Sequence, residues 1–121
     1  MQSNAPICDI ALDFTRAVVA GDYAKAHGMM TPSLQHEEST AGLKASYDAM
    51  VSYTKAPPDT VEIGLTMPAT EADGVPDGLG WVIVNVYCLH SSRDTWLEGV
   101  TVLVVRDGSR QAIGRIVWGR F

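Results

Sequence analysis

Pro57-Pro58 divides the chain into halves that obey different periodicities, and this division constrains the fold more than any other feature. Before it, apolar residues recur every three or four positions; after it, they alternate. Neither proline can continue a helix, and each pushes its predecessor toward extended geometry, so no regular element crosses the pair. Helical segments followed by a run of strands give an α+β domain, with N-terminal helices on one face of a four-stranded antiparallel sheet.

In the first half, Pro6 suits a helix first turn, and Ile7, Ile10, Ala11, Phe14 and Val18 form one stripe over residues 6–20. Gly21 ends that helix, and Asp22 caps a second over residues 22–30. Thr31-Pro32 stops it and starts a one-turn segment through Leu34. Ser39 or Thr40 caps a third helix over residues 40–53, with Leu43, Tyr47, Met50 and Val51 on one side.

In the second half, "TVEIGLTM" over residues 60–67 alternates Val61, Ile63, Leu65 and Met67 against Glu62, Gly64 and Thr66, as an edge strand with one wet face would. A loop rich in Gly, Pro and Asp leads to strands over residues 81–90, 96–106 and 111–120, joined by "SSRDT" and "DGS" turns. Directly opposed residues share a face, so the turns fix two lists by parity. Asn85 is expected opposite Thr101, and Val82 opposite Val104.

One face then carries Val82, Val84, Val86, Cys88, Val100, Val102, Val104, Ile113 and Val117, with Glu98 and Arg115. The other carries Trp81, Ile83, Asn85, Tyr87, Leu89, Gly99, Thr101, Leu103, Ile116 and Trp118. Both are too apolar for solvent, and one layer of helices covers only one of them. The valine face, with Val84, Val86, Glu98, Val100, Val102, Arg115 and Val117, reads as a sheet-on-sheet dimer surface. The bulky face reads as the wall beneath the helices, although a valine layer also suits a helix-packed core.

At 121 residues the chain suits a single domain, and 46% hydrophobic with 19% charged residues is an ordinary globular balance. A net charge of −5 offers no basic stripe for nucleic acid or an anionic membrane. No apolar run approaches the ~20 residues of a spanning helix. The first ten residues carry no basic and apolar signal pattern, so a cytoplasmic location is the default expectation. Cys8 and Cys88, 80 positions apart, read as buried thiols rather than a disulfide.

Motifs for chemistry are sparse. "HEEST" opens like a zinc-protease helix, but Thr40 stands where the second histidine would be, and the three histidines are scattered, so neither a metal nor another cofactor is expected. There is no phosphate loop, nucleophile elbow or dinucleotide fingerprint. Tyr23, His27, Asn85 and Glu98 remain as acid/base or polar candidates, and Glu98 with Arg115 also suits a structural ion pair.

A helix, the elbow "GDYAKAHGMM", the segment "MMTPSLQ", another helix and a meander ending in "IVWGRF" together resemble the nuclear transport factor 2-like, cystatin-like α+β cone over about residues 6–121. Within that superfamily the pattern is similar to small bacterial members not known as enzymes. The resemblance implies a curved sheet around a helix, a cone-shaped cavity, and dimers through the sheet's outer face. The superfamily's isomerases need a strand-borne Asp base with a Tyr and a protonated Asp, whereas residues 31–40 here read "TPSLQHEEST".

These expectations combine into a non-catalytic small-molecule-binding or structural domain, dimeric through the sheet. Phe14, Tyr23, Met30, Tyr47, Trp81, Asn85, Tyr87, Thr101 and Trp118 would wall a pocket for a small apolar ligand. The alternatives are a cofactor-free acid/base lyase, isomerase or hydrolase, and an interaction module using the exposed sheet face.

Overall fold

The computed structural model describes residues 5–52, 58–70, 77–87 and 97–119. Along the chain run α1 (Ala5–Val19), α2 (Tyr23–Gly28), α3 (Pro32–Glu37), α4 (Thr40–Val51), β1 (Thr60–Met67), β2 (Gly78–Tyr87), β3 (Leu97–Asp107) and β4 (Arg110–Trp118). The strands form one antiparallel sheet in the order β1-β2-β3-β4. The Pro57-Pro58 boundary therefore separates helices from sheet as expected. None of the described helices is long and apolar enough to cross a membrane. Cys8 is a half-buried free thiol, and Cys88 and the "SSRDT" turn lie outside the described residues.

Local chemistry sets the helix ends. Gly21 adopts φ +81°, and its N–H bonds Val18 O at 3.0 Å while Asp22 N–H reaches Ala17 O at 2.8 Å. This paired C-terminal closure consumes two orphan carbonyls of α1 and needs the left-handed conformation that glycine adopts without strain. The side chains of Asp22, Thr31 and Ser39 then accept from the backbone N–H of Lys25, Leu34 and Gly42 and start α2, α3 and α4.

The helices pack on the valine face, the reverse of the expected allocation. Phe14, Val18, Met30 and Leu43 interlock with Val82, Val84, Val86, Val100, Val102, Val104 and Ile113 in one buried cluster. The reason is steric. The helices bring the large side chains, and a layer of short β-branched residues leaves room for them. The four valines expected at a dimer surface, Val84, Val86, Val100 and Val102, are instead at most 1% exposed beneath the helices.

Bulges revise the rest of the parity argument. In β1, Ile63 pairs with Val84 but Leu65 pairs with Ile83, so Gly64 is the extra residue. Val61 and Ile63 face the helices, while Leu65 and Met67 turn to the opposite, outer face. In β4, Ile113 pairs with Val104 but Arg115 pairs with Leu103, which makes Gly114 a second bulge. Ile116 and Trp118 then pack on the helix side, and Arg115 and Val117 move to the outer face. An extra residue shifts the period-two alternation by one, so every later side chain changes sides. Gly114 also has no room for a side chain, because a Cβ there would sit 2.7 Å from Val105 Cγ1.

β2 pairs with β3 two residues away from the expected register. Val82 opposes Val102, Asn85 opposes Gly99, and Ile83 opposes Thr101. An even shift preserves the faces, so these two strands keep their assigned sides. The β3-β4 hairpin closes between Asp107 and Arg110, and Gly108 supplies the positive φ of +64° in its two-residue turn.

Candidate functional site

The nine proposed pocket residues are divided by the sheet. Phe14, Met30, Tyr47, Tyr23 and Trp118 belong to the helix-side cluster, whereas Trp81, Asn85, Tyr87 and Thr101 lie on the outer face. Phe14, Met30 and Leu43 are 0% exposed and Tyr47 is 6% exposed, so these side chains fill the interior between helices and sheet. The residues expected at the dimer surface are divided as well: only Arg115 and Val117 reach the outer face. Glu98 opposes Val86 on the helix side and is half-buried.

Clefts occur at the rim of the fold. One of about 580 Å³ opens beside the start of α3 and is lined by Ser33, Glu37, Asp77, Arg106 and Asp107, with Gly114 at its wall. A second of about 420 Å³ runs beside Arg16 and Thr60, and a third of about 400 Å³ lies between Tyr23 and Lys44. Tyr23 is the only pocket candidate that lines any of these three.

The acid/base candidates do not converge. His27 Nε2 lies 3.3 Å from Gln35 O, and Gln35 Nε2 donates to His27 O at 2.8 Å, a reciprocal clasp between α2 and α3. Burial pushes the Tyr47 phenol up to about 12, reinforced by nearby Tyr23 and Asp48, which makes it a poor proton donor near neutrality. Among the described residues, no group of three His, Cys, Asp or Glu side chains could hold a metal ion.

The outer face has a different character. Trp81, Leu103 and Val105 form a second buried cluster, flanked by Met67, Ala69 and Val117, with no described helix contributing to it. Leu65 on the same face is 56% exposed, the one large hydrophobic exposed to this degree among the described residues. Glu62 lies at one edge and accepts the Tyr87 hydroxyl at 2.9 Å, and this bond raises the Tyr87 pKa. Asn85 covers Gly64, where a Cβ would come within 2.7 Å of its Nδ2. Near the centre, the Thr101 hydroxyl is buried without a hydrogen-bond partner among the described residues.

Asn85 therefore does not oppose Thr101 as expected, and the two do not satisfy one another across the ladder. The feature that the sequence reading missed is the outer apolar surface built by Leu65, Met67 and Val117. Its signal was present in Gly64 and Gly114, because a glycine inside a strand pattern is a recurrent mark of a bulge. Compared with protein-family models, with curated proteins and with solved structures, the chain finds no match.

Proposed function

We propose that this chain is a non-catalytic association domain of nuclear transport factor 2-like architecture, which pairs with a second copy through the outer face of its sheet. The observation that carries this reading is Leu65, which projects 56% exposed from the outer face beside half-buried Met67, Ile83 and Val117. A contiguous apolar surface on a sheet face marks an interaction site more often than chance exposure does. The filled interior, with Phe14, Met30 and Leu43 all at 0% exposure, favours association over capture of a small apolar ligand there.

Sedimentation equilibrium across a concentration series tests the reading. The mass rises from one chain toward two with concentration in the native protein, and Leu65→Lys returns it to one chain while leaving the circular dichroism spectrum unchanged. A single-chain mass at every concentration up to the high micromolar range overturns it. The thermal midpoint should also climb with protein concentration, since association stabilises by mass action.

A further inference from the structure

The sheet has two edges, and the chain treats them differently. At β4 the connector between α2 and α3 adds a short bridge of its own backbone: Thr31 N–H bonds Ile113 O and Ile113 N–H bonds Met29 O, both at 2.9 Å. At β1 no described residue pairs with the side turned away from β2. In an antiparallel edge strand, alternate residues aim their N–H and C=O away from the neighbour, so β1 offers a row of backbone donors and acceptors spaced for another extended chain. The row is regular where Thr60, Val61, Glu62 and Ile63 pair in step with Tyr87, Val86, Asn85 and Val84, and the bulge at Gly64 ends it.

The cleft of about 420 Å³ runs along this stretch, with Arg16 and Val19 from the last turns of α1 on one wall and Asp59, Thr60 and Val61 on the other. Positions 16 and 19 are three apart, so both side chains lie on one face of the helix. Val19 and Val61 are half-buried at the border of the helix-side cluster and leave an apolar strip in the groove. Arg16 is exposed, and its guanidinium has no ion pair or hydrogen bond among the described residues. Asp59 is turned to its own strand, where it accepts the Thr60 hydroxyl at 2.8 Å.

We propose that this edge is the docking site for an extended, acidic peptide segment of another protein, which adds to the sheet beside Thr60 to Ile63. In strand addition the main chain supplies the hydrogen bonds and alternate side chains supply the selectivity. A strand laid along β1 turns every second side chain to the helix side, where the strip of Val19 and Val61 takes an aliphatic group. A carboxylate on that same side meets Arg16, whose planar guanidinium can fork to both of its oxygens. Four paired residues span roughly 13 Å, a short contact of the kind that transient interfaces make. The site uses the edge and not the outer face, so it stands apart from the association of two copies.

The probe is a capped peptide of alternating valine and threonine in which glutamate replaces a terminal valine, at each end in turn, titrated into the full chain. It should bind saturably by fluorescence anisotropy, with amide shifts centred on Val19, Thr60 and Val61. Arg16→Glu, at an exposed position, should weaken the glutamate peptide about fivefold and favour its lysine counterpart by a similar factor. N-methylation of one alternate set of peptide amides should abolish binding, and methylation of the other set should leave it within about threefold, because only one set faces β1. Binding that ignores which set is methylated overturns strand addition, and equal affinity for the glutamate and lysine peptides overturns the acidic partner. Absence of saturation up to about 1 mM overturns the site itself. So do β1 shifts that follow chain concentration alone and shut the peptide out, which give the edge to a second copy.

Discussion

Thr101 is the residue at which the physical chemistry of the outer face is sharpest. It is 0% exposed in the middle of a central strand, and its hydroxyl has no hydrogen-bond partner among the described residues. A buried hydroxyl without a partner costs about 1–3 kcal/mol in lost hydration, whereas an isosteric apolar group in the same place costs nothing of the kind. Thr101→Val preserves the β-branch and should therefore raise unfolding stability by about 1 kcal/mol, read as a higher urea midpoint at unchanged m-value. A loss of that size would instead show that the hydroxyl is held by a bound water or ligand. Asn85, in contrast, is half-buried, and its amide packs on the bulge at Gly64 where a side chain would not fit. Asn85 and Thr101 were expected to oppose one another and do not, because the register depended on a turn length between β2 and β3.

At the scale of elements, what was legible followed from local chemistry, and what was not followed from glycine. Asp22, Thr31 and Ser39 cap their helices because a short acceptor side chain before an apolar stripe has few other uses. Gly64 and Gly114 are bulges, whereas Gly99 pairs regularly with Asn85, so a glycine in a strand does not by itself say whether parity flips. The faces were allocated the wrong way round for a related reason: both were apolar, and only the volumes of Phe14, Leu43 and Met30 against a valine layer select between them.

A further device was invisible to periodicity. Arg110 at the start of β4 donates from Nη1 to Gly28 O and from Nη2 to Met30 O, each at 3.0 Å, and from Nε to Asp107 Oδ2 at 3.1 Å. It holds the α2-α3 connector against the β4 edge, where Thr31 N–H bonds Ile113 O and Ile113 N–H bonds Met29 O, both at 2.9 Å. The guanidinium also meets the carbonyl end of α2, where positive charge is favourable. Arg110→Met should cost about 1–2 kcal/mol and speed amide exchange at Thr31 and Ile113, and Arg110→Lys should recover less than half because an ammonium cannot fork to several acceptors. Unchanged exchange at those two amides in the Met variant would assign the connector's order to the backbone bridge alone.

For the molecule as a whole, the buried tyrosine of α4 sets an alkaline limit on stability. Tyr47 is 6% exposed within the helix-side cluster, and burial carries its pKa from the ordinary 10.0 to about 12. Below about pH 10 the phenol is neutral in both folded and unfolded chains and the stabilisation from burying it is fully present. Between about 10 and about 12 the unfolded chain releases this proton while the folded chain retains it, so the unfolded state binds fewer protons and stability falls as pH rises. Urea unfolding should thus be insensitive to this group up to pH ~9 and then weaken progressively. Tyr87 is also raised, but by its bond to exposed Glu62, where solvent screens the interaction and the effect on stability is small. Tyr47→Phe should remove a substantial part of the alkaline slope, whereas Tyr87→Phe should leave the slope nearly intact. If the Phe variant at position 47 lost stability above pH ~10 as steeply as the native chain, the burial of this phenol would not be the source of the alkaline limit.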